Sequence, residues 1–189
     1  MLDFLELPSD ESSSDLSEDV RRQTPADVAL ARGEEQYFDG EFLAAAASFA
    51  QARRHEPTLF GAWAAEVEAL VRARQLSEAA VAVSEALQTY GQAAPVYAAQ
   101  AVVLAHQGHL EEAYQHSDIA VREHEDSVFT WLARAEVVLA ASGAEDPARA
   151  DACFEEAIRR DATRWKARFR CGLVLFDWGH FDHARQRLA

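Results

Sequence analysis

Three eleven-residue windows decide the reading of this chain: Phe42-Leu43-Ala44-Ala45-Ala46-Ala47-Ser48-Phe49-Ala50-Gln51-Ala52, Leu76-Ser77-Glu78-Ala79-Ala80-Val81-Ala82-Val83-Ser84-Glu85-Ala86 and Leu110-Glu111-Glu112-Ala113-Tyr114-Gln115-His116-Ser117-Asp118-Ile119-Ala120. They begin 34 residues apart, each on a bulky apolar residue, with alanine at the fourth and eleventh places. Trp63 and Trp131 lie 68 apart, two such periods. Beyond residue 142 the spacing stretches to 37, as Ala113 to Ala150 and Ala120 to Ala157 show, and Ala150 to Ala184 returns to 34. The slip falls on Ser142-Gly143-Ala144-Glu145-Asp146-Pro147, a turn-rich segment where a three-residue insertion is tolerated. Agreement in several columns at once is an internal repeat, and it governs the fold.

Composition says what each repeat is made of. Alanine supplies 39 of 189 residues, basic charge is almost all arginine with Lys166 the only lysine, and glycine and proline total 13. Alanine, leucine, glutamate and arginine are strong helix formers, and β-branched residues stand scattered rather than in alternating runs. Thr24-Pro25-Ala26-Asp27 opens the first helix, with a threonine N-cap, proline at the first helical position and an acid in the first turn. The pattern predicts first helices near 25–38, 58–73, 93–106, 127–141 and 163–177, and second helices near 41–54, 76–89, 110–123, 146–160 and 181–189.

These columns resemble the tetratricopeptide repeat (TPR) family, whose signature is Trp-x2-Leu-Gly-x2-Tyr, then Ala-x3-Phe, then a closing proline. The matching pieces are Gly33, Ala45-x3-Phe49 and Pro57; Trp63, Ala79-x3-Val83 and Ala86; Tyr97, Gly108 and Ala113; Trp131 and Ala150-x3-Phe154; and Gly172, Gly179 and Ala184-x3-Leu188. Gly91, Glu125 and Ala162 stand where the closing proline would be, and Arg32, Glu66 and Arg134 replace the usual leucine. The resemblance implies an all-α, right-handed α-solenoid of about five helix-turn-helix hairpins over residues 25–189. Its units fall near 25–59, 60–93, 94–127, 128–164 and 165–189, the last incomplete and read as truncated. One hairpin cannot bury its apolar face, so units stack and share a core.

Residues 1–24 differ from the rest. They hold seven acids against two bases around Ser12-Ser13-Ser14. Such a stretch buries too little apolar surface to offset its ordering entropy, so Ser9 to Arg22 is expected to be flexible. Leu2, Phe4, Leu5 and Leu7 make an apolar cluster at the extreme end, read as a frayed terminus or a short docking segment. Over the whole chain the formal charge is −14 and the pI about 4.8, which excludes a basic nucleic-acid or anionic-membrane face. No apolar run reaches the roughly 18 residues of a membrane span, and no secretory signal opens the chain. With two cysteines only, the expected setting is cytoplasmic, and the arginine and alanine bias fits a GC-rich bacterial genome.

In the family the first helices line a concave surface that commonly binds a peptide or a partner's helix. Carried over unit by unit, that surface holds Leu30, Glu34, Tyr37 and Phe38; Glu68, Val71 and Arg72; Val102 and His106; Glu136 and Leu139; and Lys166, Phe169, Leu173, Phe176 and Asp177. It reads as apolar and aromatic, with a carboxylate stripe (Glu34, Glu68, Glu136) and few cations. Co-chaperones of the family grip acidic C-termini with a clamp of lysines, arginines and asparagines. The matching positions here hold Leu30, Glu34, Ala64 and Glu68, so that clamp is absent. The expected partner is a protein or peptide with apolar anchors and some Arg or Lys.

Chemistry is sought and not found. His106-x2-His109 and His180-x2-His183, the latter beside Asp177 and Asp182, sit at predicted turns, and zinc wants three or four ligands. Cys153 and Cys171 read as buried free thiols without a partner base. No glycine-rich phosphate loop or hydrolase elbow appears. The expectation is a non-enzymatic interaction scaffold without cofactor or metal. The alternatives are a regulatory or targeting domain of a longer enzyme, and a self-assembly module.

Overall fold

In a computed structural model of the chain, the structure describes residues 23–123, 127–142, 147–161, 163 and 165–188. The serine-acid segment and the Leu2–Leu7 cluster lie outside the described residues. Among those described, the elements are α1 (Pro25–Phe38), α2 (Phe42–His55), α3 (Phe60–Arg72), α4 (Leu76–Tyr90), α5 (Ala94–Gln107), α6 (Leu110–Glu123), α7 (Val128–Ser142), α8 (Asp151–Arg160), α9 (Trp165–Asp177) and α10 (Phe181–Leu188). The start expected for the eighth helix is instead a 3-10 turn, Pro147–Ala150, which leads into α8. A tightened first turn is common at helix starts, and this one follows the segment where the repeat slips.

The local signals explain the helix ends. Thr24 caps α1: its hydroxyl accepts from the Asp27 N–H while the Asp27 carboxylate accepts from the Thr24 N–H. In the four hairpins whose turns are described, the turn places one residue in the left-handed region. Glycine fills it at Gly40, Gly108 and Gly179, with φ of 81°, 84° and 82°. In the second hairpin Arg74 takes it at φ 62°.

Packing follows the repeat columns. Ala45, Ala79, Ala113, Ala150 and Ala184, with Ala52, Ala86, Ala120 and Ala157, are all buried, so neighbouring helices approach closely along the array. Bulky residues fill what the alanines leave. Phe49 and Phe154 are buried, and Trp63 is fully so, its Nε1 donating to the Ala82 carbonyl at 2.8 Å while its ring packs on Phe60 and Tyr90. Gly33 is required by close approach: a Cβ there would sit 2.5 Å from the Phe49 ring. The polar replacements of the usual leucine also find partners. Arg32 donates to Ser48, Arg53 to Glu66, and Arg134 to Ser117.

Candidate functional site

The five odd-numbered helices turn side chains toward a common interior. Arg72 of α3, itself 6% exposed, donates to the carboxylates of Glu136 on α7 and Asp177 on α9. His106 of α5 holds the same Glu136 through Nε2 at 2.8 Å and lays its ring near Trp178, centroids 5.0 Å apart. Beside this cluster the Tyr37 hydroxyl of α1 donates to Glu68 at 2.8 Å, and Arg170 of α9 reaches the other Glu68 oxygen at 3.5 Å.

At the rim the two ends of the array meet. The Phe38 ring of α1 packs on Trp165 and Phe169 of α9, at centroid distances of 4.8 and 5.2 Å. Lys166 donates to Glu34 at 2.8 Å. Leu30, Phe38, Phe169 and Leu173 close over Tyr37 and Phe49 in one apolar cluster. Residues 132 positions apart in sequence are therefore neighbours, which the repeat pattern by itself does not announce.

The electrostatics follow from this closure. Burial pushes the Glu136 carboxyl up, but Arg72 and His106 outweigh it and hold the group at about 2. Burial would depress the guanidiniums of Arg72 and Arg170. The carboxylates facing them, Glu136 for the first and Glu68 for the second, reverse that and leave both raised. Burial, reinforced by Glu68, raises the Tyr37 hydroxyl well above its ordinary value.

Two expectations need correction. The carboxylates do not stand as an open stripe with few cations: Glu34 faces Lys166, Glu68 faces Arg170, and Glu136 faces Arg72. A desolvated carboxylate without a partner would carry a large penalty, so the buried Glu68 and Glu136 are each given one, while the Glu34 pair is partly exposed. Nor do all the candidates line a surface. Val71 and Leu139 are fully buried, and Tyr37 and Val102 are buried, so these four pack between helices. Phe176 is 58% exposed and stacks on Phe181 outside the interior.

What stays open is a cavity of about 330 Å³ between α1, α3, α7 and α9. Leu30, Glu34 and Glu68 line it, joined by Phe60, Phe129 and Arg170. The sequence reading missed Arg170, although Lys166, Arg170, Leu173 and Asp177 fall on one helical stripe, a signal the 3.6-residue period contains. Phe129 had no such signal, because its place depends on how α7 meets α3.

Among the described residues no three His, Cys, Asp or Glu side chains gather where a metal ion could be held. Both cysteines are buried and free. Burial pushes the Cys171 thiol up to about 12 and raises Cys153, so neither is poised as a nucleophile. No described helix is long and apolar enough to cross a membrane.

No protein-family model and no curated protein matches the chain. Among solved structures, TTC0263, a thermophilic TPR protein in Thermus thermophilus, aligns with a TM-score of 0.55 at 20% identity, over 86% of this chain and 87% of that one. Yeast Tom70 aligns at 0.49 and 16% identity, over 86% of this chain and 34% of its own. MamA from Desulfovibrio magneticus RS-1, residue 41 to its end, aligns at 0.48 and 14%, over 86% and 90%. The first of these carries the fold. The architecture is TPR-like, an all-α solenoid of helical hairpins.

Proposed function

We propose that this chain is a non-enzymatic scaffold for protein–protein interaction, and that its inner face receives a partner segment at the mouth between α1, α3, α7 and α9. The observation that supports this is the 330 Å³ cavity, where apolar walls from Leu30, Phe60 and Phe129 surround the carboxylates Glu34 and Glu68. That combination fits an apolar anchor followed by an arginine or lysine. Glu34 is half-buried and only loosely committed, because its bond to Lys166 is a partly exposed pair worth at most about 1 kcal/mol. A partner cation can take that place. Glu68, tied to Tyr37 and Arg170, orients the pocket rather than exchanging partners. A longer partner would reach Arg72, Glu136 and Asp177 only if α9 moves off α1. The cytoplasmic setting belongs to the same reading.

The test is retention of partners from native lysate by the wild type and by a Leu30→Asp, Glu34→Lys variant, with circular dichroism confirming that the variant is folded. A protein held by the wild type and lost from the folded variant supports the inner site. Equal retention removes the site from this face, and no retention by either removes the scaffold reading. A second reading, self-assembly, is favoured by the exposed Phe176–Phe181 pair and Leu188 at the last hairpin. A mass independent of concentration in sedimentation equilibrium would dispose of it.

A further inference from the structure

On the outer face, opposite the inner site, α2 and α4 diverge over α3 and leave a cavity of about 550 Å³. Its walls are Leu43, Ala47 and Ala50 of α2 with Val81 and Ala82 of α4, and Leu70 of α3 forms the floor. Leu43 and Val81 are each 59% exposed.

The repeat supplies an internal control. Leu43 is the second residue of α2, and the second residues of α4, α6 and α10 are Ser77, Glu111 and Asp182. Val81 is the sixth residue of α4, where α6 and α10 carry Gln115 and Gln186. Ala50, at the ninth place of α2, becomes Ser84 and then Asp118. Where α6 and α10 carry polar residues and the fourth hairpin only the small, exposed Ala148 and Ala152, this groove exposes the bulky Leu43 on one wall and Val81 on the other, with Ser77 as a polar member of the α4 wall. The hairpin geometry does not demand this, since the other hairpins fold without it.

We propose that this groove docks a partner's amphipathic helix whose apolar stripe is flanked by arginine or lysine. The shape argues for a helix. Apart from Leu43 in the first turn of α2, walls and floor are helix-interior residues whose backbone groups already bond within their helices. An extended peptide would therefore find little to pair with along the groove, whereas a helix satisfies its own backbone. Leu43 to Arg53 spans about 15 Å, some three turns, and the alanine walls let a third axis approach to roughly 8–10 Å. The charge argues for basic flanks. Glu66, Glu78 and Glu85 line the groove against a single cation, Arg53, which bonds Glu66 and Glu85 at 2.8 Å each. A basic helix is attracted and an acidic one repelled.

The experiment uses three fluorescent 18-residue probes: a helix with leucines at i, i+4, i+7 and i+11 and arginines beside them, its twin with glutamate for arginine, and the arginine peptide with a central proline. We expect the arginine helix to bind at least tenfold more tightly than either control. Leu43→Glu with Val81→Glu should weaken it at least tenfold. These two exposed changes make the chain more acidic, so attraction by net charge alone predicts the opposite. Glu78→Lys with Glu85→Lys should shift preference toward the glutamate twin. Binding lost in Glu34→Lys but kept by the Leu43 and Val81 changes would assign the probe to the inner face and overturn the outer groove, so the two sites fail separately. Equal binding of the three probes, no binding of any, or indifference to the Leu43 and Val81 changes would overturn the proposal. So would self-association of the wild type that those changes abolish, since the occupant would then be a second copy.

Discussion

Glu136 is the residue on which the interior turns. Its folded value of about 2 lies below the ordinary 4.5, so its contribution is complete above about pH 5 and drains away as pH falls toward 2. The linkage is worth on the order of 3 kcal/mol. Glu66, which burial raises despite Arg53, works weakly in the other direction over the acid range. Urea denaturation between pH 5 and 2 should show the midpoint falling in the wild type and much less so in Glu136→Gln. That variant should itself lose about 3–5 kcal/mol at pH 7, because Arg72 remains buried with one carboxylate gone. A wild-type midpoint flat across that range would contradict the assignment. Gly33 makes a simpler case. Alanine there drives a methyl into the Phe49 ring, and Gly33→Ala should cost about 1–3 kcal/mol by the same assay.

At the scale of elements, the hairpin turn before α4 holds a contradiction. Three sister turns place glycine in the left-handed region, yet this one places Arg74 there, a strain of about 1 kcal/mol. The side chain uses the position to donate to the Asp177 carbonyl at 3.2 Å and to approach the Asp177 carboxylate at 3.8 Å. With Arg74 more than half exposed, those contacts are worth at most about 1 kcal/mol. The two effects nearly cancel, so Arg74→Gly should leave thermal stability within about 1 kcal/mol of wild type. A larger loss would mean that the link from α3 to α9 is stronger than a screened surface pair.

The whole molecule departs from the usual solenoid in its longest contacts. Arrays of this kind ordinarily touch only neighbour to neighbour, and their stability adds up unit by unit. Here α1 meets α9 through Phe38, Trp165, Phe169 and the Lys166–Glu34 pair, which couples the first hairpin to the last. Phe38→Ala combined with Lys166→Glu should separate them. The radius of gyration from X-ray scattering should rise, and denaturation should broaden into more than one step as the last hairpin uncouples. An unchanged radius with a single sharp transition would show that the closure rests on the buried Arg72 cluster instead.

The division between what was legible and what was not follows from range. Helix ends, hairpin partners and buried columns were readable, because each depends on residues within a few dozen positions: Thr24 on Asp27, Gly33 on Phe49, Trp63 on Ala82. The inward stripe was readable in part. Of its residues, Arg72, Glu136 and Asp177 meet in one cluster, while Glu34 and Glu68 pair with Lys166 and Arg170. That pairing was not readable, nor was the role of Arg170 or the groove between α2 and α4. The period of 34 residues determined a stack of helical hairpins. Whether that stack stays open or folds its ends together depends on small rotations at every junction. Those rotations accumulate along the array, and only the packed structure sums them.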